Sequence, residues 1–251
     1  MNLVADTLLE SSGSPSGSPL MREYGKYCNK IEVLYVEKKK MHGVFAVEDI
    51  RAGDVLLKMP DMWKGDYLTL TKILLEMNNV YSQHLPVDLT NFPMLWSSSD
   101  MQHVDSSIRE MSLSRKNTLV KELQENGFKG NMLDLRARLL VGSRAFSKDD
   151  DLYLVPIADM INHSDDPNVD WKVDDVFCVR ALKNIKAGEE LFDTYGTKTN
   201  FENLLFYGMV LKNNLHHDVT YQLFEVPVPF RRNLNFKYFK STFEYELCGS
   251  Y

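Results

Sequence analysis

The sequence is poor in cysteine: Cys28, Cys178 and Cys248 are its only three. Three scattered cysteines make no disulfide framework. No Cys-x-x-Cys pair occurs, and His216-His217 has no cysteine nearby, which argues against a closed zinc site. No metal is therefore expected, and a reducing, intracellular setting, cytoplasm or nucleus, is the simpler reading. Long apolar runs are also missing. None approaches the ~18 residues of a membrane helix, and no basic segment leads into an apolar core at the N-terminus, so neither a membrane span nor a secretory signal is expected. An excess of positive charge is missing too. The 29 Lys and Arg against 35 Asp and Glu leave a net charge of −6, which argues against direct nucleic-acid binding, since that needs a basic footprint. The charge is compatible with a basic peptide partner, although one this mild is more often a matter of solubility.

Several signature motifs are absent. Without G-x-x-x-x-G-K-[ST] there is no P-loop, and without G-x-G-x-x-G after a strand the dinucleotide-binding reading loses its support. G-x-S-x-G and H-E-x-x-H are missing as well.

What is present is globular usage: 251 residues, 44% hydrophobic and 25% charged, enough for one large domain or two small ones. Residues 11–19 (SSGSPSGSP) cannot build a core and place a flexible tail over residues 1–21. Residues 31–36 (IEVLYV), 43–48 and 54–59 read as strands, with Gly53 free to take positive φ in the turn between the last two. The middle predicts helices: Leu68, Leu70, Ile73, Leu74 and Met77 recur at helical spacing, as do Leu119, Val120 and Leu123. Asn131 can cap a helix with Met132, Leu135, Leu139 and Leu140 on its apolar side. Short strands return at 152–156, 176–181 and 190–194, followed by a short helix opened by Thr199 and Glu202 at capping-box spacing. Strands, then helices, then strands predict an α+β fold and not a doubly wound parallel sheet.

Two stretches carry the chemistry-bearing residues. Residues 156–164 (PIADMINHS), followed by Pro167-Asn168, gather Asp159, Asn162 and His163 among apolar neighbours. Polar groups buried there must find partners, and a capping turn with satisfied polar groups is the plain alternative. Residues 185–196 (IKAGEELFDTYG) echo residues 49–56 (DIRAGDVL), each reading as strand, tight turn, strand.

Together these stretches resemble the SET domain of protein methyltransferases. Asn162-His163-Ser164 with Pro167-Asn168, and Glu189-Glu190-Leu191 through Tyr195-Gly196, match that family's motifs in order and spacing. Residues 141–146 (VGSRAF), 156–163 and 195–208 (YGTKTNFENLLFYG) are similar to the class that includes the RuBisCO large-subunit lysine methyltransferase, as are Leu85-Pro86 and 92–96 (FPMLW). The resemblance spans about residues 30–215. It implies an α+β SET domain over 22–215, built of short strands and hairpins, with a helical insert at about 61–140 and a knot-like C-terminal threading, an exception to the rule against threaded chains. Residues 216–251 would form a short stub where the class carries a helical substrate-binding domain. In that stub Phe224, Val226, Val228 and Phe230 make an apolar run able to pack on the domain or expose a surface. Met41-His42-Gly43 departs from the family by keeping only the second glycine of Gly-x-Gly.

The resemblance implies S-adenosylmethionine as cofactor and a protein partner, non-histone in this class, whose acceptor lysine receives the methyl group. It makes Tyr195 the catalytic residue, orienting the methyl or the amine. Met41, His42 and Gly43, with Lys40, would meet the cofactor through backbone or packing. Arg144 would meet its carboxylate, Asn162 its methionyl end and His163 its adenine, with Asp159 and Tyr195 as further contacts. Phe146, Ala158 and Tyr207 would line the substrate channel; the histidine-methylating branch carries Asn and Trp in place of Phe146 and Ala158. Plainer roles stand beside these: an ion pair of Arg144 with Asp149, Asp150 or Asp151, and core packing for Tyr195, Phe146 and Tyr207. A non-catalytic SET-like interaction module and a protein-histidine methyltransferase are the alternative functions.

Overall fold

The computed structural model describes residues 18–37, 39, 41–212, 214, 216, 235–239 and 242–246. Lys40, most of the expected tail and the apolar run of the stub lie outside the described residues.

The first helix, α1 (Pro19–Tyr24), is opened by Ser18, whose hydroxyl accepts from the Met21 N–H at 3.1 Å, while Pro19 presets φ in the first turn. Residues 19–21 are therefore helical and not tail, and Leu20 is wholly buried. Strand β1 (Ile31–Val36) pairs antiparallel with β2 (Met41–Ala46). β3 (Val55–Met59) and β4 (Trp63–Gly65) follow, the latter a strand inside the expected helical insert. Then come helices α2 (Tyr67–Glu76), α3 (Val80–His84), α4 (Ser98–Met101), α5 (Ser106–Glu125) and α6 (Met132–Arg144). Strands return as β5 (Phe146–Lys148), β6 (Asp151–Leu154), β7 (Asn162–His163), β8 (Val169–Val173), β9 (Phe177–Ala181) and β10 (Phe192–Asp193). Helix α7 (Asn200–Tyr207) and a hairpin of β11 (Asn235–Phe239) and β12 (Thr242–Glu246) complete the described chain.

The chain divides into two compact units. The first holds residues 1–87 and 123–195, the second residues 88–122 and 196–251. In the first unit β3–β9–β8 and β4–β6–β5 form two three-stranded antiparallel sheets, and β7 pairs parallel with β10. Its core runs through Leu56, Met59, Val155, Ile157, Phe177 and Leu191. A smaller cluster of Leu70, Val141, Leu152 and Leu154 joins α2, α6 and β6. Asn131 caps α6 by accepting from the Asp134 N–H at 3.0 Å, and Leu135, Leu139 and Val141 are buried, whereas Met132 stands 50% exposed at the first turn. In the second unit Thr199 and Glu202 form the capping box of α7, which ends on Gly208 at φ +66°; the Gly208 carbonyl accepts from Asn91 Nδ2 at 3.0 Å. Among the described residues no helix is long and apolar enough to cross a membrane.

The two echoing stretches pair with each other. Ile50 and Ile185 exchange both backbone hydrogen bonds, at 2.8 and 3.0 Å, while Gly53 and Gly188 take φ +89° and +84° in the adjoining turns. Each had read as a separate hairpin because turn chemistry is local, whereas the choice of strand partner is not.

Candidate active site

The site is assembled where residues 188–193 run between two neighbours in the first unit. On one side the segment bonds to β2: Gly188 N–H to Ala46 O at 2.8 Å, Ala46 N–H to Glu189 O at 2.9 Å, and Leu191 N–H to Val44 O at 2.7 Å. On the other side β10 lies in register with β7, Phe192 opposite Asn162 and Asp193 opposite His163. Asn168 clamps the same segment, accepting from the Phe192 N–H at 2.7 Å and donating to Glu190 O at 2.9 Å. Asn162, His163 and Gly43 are thereby brought together, with Tyr195 just beyond β10.

Ahead of β7 the chain makes a strained turn. Ile157 has φ +68° and ψ −51°, and the Ala158 N–H donates to Pro156 O at 2.8 Å, closing a positive-φ γ-turn. A β-branched residue rarely adopts this conformation. Complete burial of Ile157 holds it there, and such strain persists where surrounding packing over-determines it. The turn aims Asp159 at α6. The Asp159 side chain is fully enclosed; its Oδ2 accepts from Arg144 Nη1 at 3.0 Å and from the Tyr81 hydroxyl at 2.9 Å. The same Nη1 donates to the Asp159 carbonyl at 3.0 Å. Burial pushes the Asp159 carboxyl upward against the opposing pull of Arg144 and Tyr81. Burial works against the guanidinium charge, but Asp159, Tyr81 and Tyr195 together outweigh it and hold Arg144 above its ordinary value. Burial, with the Asp159 charge, also raises Tyr81 well above its ordinary range.

One sequence reading is corrected here. Arg144 is paired with Asp159 and not with Asp149, Asp150 or Asp151; Asp151 pairs with Lys64 at 2.7 Å. The Asp159 carboxylate, expected among the cofactor contacts, is enclosed beside Arg144 and Tyr81.

Tyr195 and His163 form a second linked pair. The Tyr195 N–H donates to His163 Nδ1 at 3.0 Å, so the neutral ring carries its proton on Nε2, which faces Asp165 Oδ1 at 3.4 Å. With 3% of its side chain exposed, the imidazole is engaged at both nitrogens. The Tyr195 hydroxyl donates to Ile161 O at 2.9 Å, which fixes the phenol. Asp193, beside His163, is pushed up to about 6, chiefly by burial.

Asn162 Nδ2 donates to His42 O at 3.1 Å and to Glu190 Oε1 at 2.6 Å. Gly43 is the tight position of β2: a Cβ there would lie 2.6 Å from Glu190 Oε1. Met41 is 43% exposed, so the glycine kept from Gly-x-Gly is the one the packing requires. His42 packs edge-on against Tyr35 and lies 6.3 Å from the His84 ring; burial, then the charges of His84 and Arg144, lower its pKa. Phe146 is half-buried against Trp171 and Phe177, at centroid distances of 5.1 and 4.7 Å, and Ala158 is wholly buried. Tyr207 ends α7 in the second unit, with Lys198 Nζ 5.5 Å from its ring centroid. Among the described residues no group of three or more His, Cys, Asp or Glu is placed to hold a metal.

Glu190 and Tyr81 are among the site residues that sequence reasoning left without a role. Glu190 stood inside a quoted motif, so a signal existed for it; Tyr81 had none.

An α+β fold with short paired strands around an Asn-His segment and a Tyr-Gly segment defines a SET-type domain. Residues 41–196 match the family model of the SET domain, and the chain belongs to that family. It is similar to the ribosomal lysine N-methyltransferase 1 of Saccharomyces cerevisiae, 33% identical over 94 residues that cover 34% of this chain and 16% of the relative. It is also similar to the actin-histidine N-methyltransferase of Xenopus tropicalis, 36% identical over 75 residues covering 29% and 13%. The solved structure of Rubisco LSMT bound to AdoMet shares the fold, with a TM-score of 0.68 and 23% identity over 86% of this chain and 62% of that one. In each comparison the chain spans less than two thirds of its relative.

Proposed function

We propose that the protein is an S-adenosylmethionine-dependent protein-lysine N-methyltransferase acting on a non-histone protein. The observation that carries this reading is the pairing of β7 with β10, continued by the Tyr195 N–H bond to His163, which groups Asn162, His163 and Tyr195 in a SET-family chain. The residues fit the cofactor. Glu190, His42 O and Asn162 offer acceptors and an amide to its cationic amino-acid end, Gly43 leaves room where a Cβ would clash, and Arg144 offers a planar fork to a carboxylate. When bound, the cofactor supplies an electrophilic methyl group on a sulfonium.

The acceptor amine must present a lone pair. A free lysine has a pKa of ~10.4, so its neutral form costs about 4–5 kcal/mol near pH 7. Removal of the amine from water, next to the cofactor's sulfonium charge, disfavours the ammonium and lowers that cost. Tyr195 holds the acceptor through its hydroxyl oxygen, itself fixed by Ile161 O. Its role is alignment and electrostatics and not proton abstraction. His163, engaged at both ring nitrogens, contributes its backbone.

Phe146 and Ala158 favour lysine over histidine, because the histidine-methylating branch carries Asn and Trp there. The test is calorimetric titration with S-adenosylmethionine, with Asn162→Ala as control, followed by mass-spectrometric location of transferred methyl groups. Saturable binding lost in the control and label on lysine support the proposal. Label on histidine overturns the lysine choice, and absence of binding by the folded chain favours the interaction module.

A further inference from the structure

Glu190 is a nearly enclosed carboxylate at the centre of the site, its side chain 7% exposed. Oε1 accepts from Asn162 Nδ2 at 2.6 Å, and Oε2 lies 2.5 Å from Lys39 Nζ. Lys39 belongs to the turn between β1 and β2, where its N–H donates to Val36 O at 3.0 Å. Its side chain is 48% exposed, and its Nζ lies 5.9 Å from the centroid of the Phe192 ring. Among the described residues Lys39 is the cation at ion-pair distance from Glu190.

The pair is asymmetric. Enclosing a carboxylate without a counter-charge is strongly unfavourable, so Glu190 requires a cation. A lysine on a half-exposed turn requires no partner, because water solvates it equally well. The cation is therefore the exchangeable member, and the carboxylate, held by Asn162 and packed over Gly43, is the fixed one.

Resting on the cofactor reading above, we propose that Glu190 is the receptor for the cofactor's α-ammonium and that Lys39 is an internal stand-in for it, displaced when the cofactor binds. The α-ammonium of an amino acid carries the same charge and donor set as a lysine side chain, an ammonium with three donors. The exchange is charge-neutral at Glu190 and leaves its bond to Asn162 in place. Lys39 then lowers the apparent affinity by the fraction of time it holds the carboxylate. A stand-in engaged nine-tenths of the time weakens binding about tenfold.

Calorimetric titration with S-adenosylhomocysteine and with 5′-methylthioadenosine, which lacks the amino-acid end, reads this directly. Lys39→Met is expected to bind S-adenosylhomocysteine about tenfold more tightly and Glu190→Gln about tenfold more weakly. Neither variant should alter the affinity for 5′-methylthioadenosine. Lys39 is half-exposed, so its variant keeps the fold; circular dichroism checks Glu190→Gln. Weaker or unchanged binding by Lys39→Met overturns the proposal and assigns Lys39 to the cofactor's carboxylate or to no role. Equal effects on both ligands overturn it as well, because they place the change outside the amino-acid end. Absence of binding by the unmodified chain removes the cofactor reading itself, a distinct result from binding that ignores Lys39.

Discussion

The hydroxyl of Tyr195 and the carboxyl of Asp193 sit two residues apart and lend themselves to separate tests. Tyr195→Phe removes the donor to Ile161 O while sparing the ring, which packs 5.2 Å from His163. Its turnover is expected to fall by about 10²–10³. The affinity for S-adenosylhomocysteine should hold, since the Tyr195 N–H still bonds His163. Unchanged turnover on an identified acceptor would remove Tyr195 from the reaction. Asp193 acts on stability. Burial pushes its carboxyl up to about 6, against ~3.9 in an unfolded chain. Between pH ~4 and 6 the folded chain holds a proton that the unfolded chain has released, so stability falls as pH rises through that window and is level above it. The gap corresponds to ~3 kcal/mol at most. Asp193→Asn is expected to be ~1–3 kcal/mol more stable than the parent at pH 7 and equal to it at pH 4, read from urea unfolding. A difference that does not depend on pH would mean that Asp193 matters through packing and not through its charge.

At the scale of elements, two glycines separate backbone strain from close approach. Gly208 ends α7 at φ +66°, and a Cβ there would lie 2.5 Å from Asn91 Nδ2 and 3.1 Å from its backbone carbon. Gly53 turns at φ +89° with open space around it. Gly53→Ala should lose only the left-handed penalty, ~1–2 kcal/mol. Gly208→Ala should lose at least ~1 kcal/mol more, through the displaced Asn91 bond, as a larger fall in Tm. Equal losses would show that Asn91 yields freely. The same contrast explains what could be read in advance. β1, the capping residues Asn131 and Thr199, and the turn at Gly53 were legible because each is written in neighbouring residues. β4 was not, since Trp63–Gly65 is too short to show alternation and is set by pairing with β6. α1 was hidden by the Ser/Pro composition that also caps it. The mutual pairing of the 50 and 185 stretches and the Asp159–Tyr81 bond join residues far apart in sequence, where no local pattern reports a partner. The candidate site was thus legible as two segments, but its cross-links were not.

For the whole molecule, the division into two units sets how cofactor binding should propagate. The residues of the cofactor reading lie in the first unit, among them 41–43, 144, 159, 162, 163, 190 and 195. Tyr207 belongs to the second. A ligand stabilises the conformations that bind it by RT ln(1 + [L]/Kd), ~2.7 kcal/mol at a hundredfold excess over Kd. That gain slows exchange only through openings that release the ligand. Amides at 42–46, 162–164 and 188–195 are therefore expected to gain hydrogen-exchange protection on saturation with S-adenosylhomocysteine. They form the backbone pairing that holds Asn162 and Glu190 in place. Amides of α7 should gain little, because its caps, Thr199 with Glu202 and Gly208 with Asn91, are closed within the second unit. Protection of α7 equal to that of β7 and β10 would mean that the second unit opens only with the first, making cofactor binding a property of the whole chain. A gain confined to the first unit would place the determinants of cofactor binding in the 1–87 and 123–195 segments.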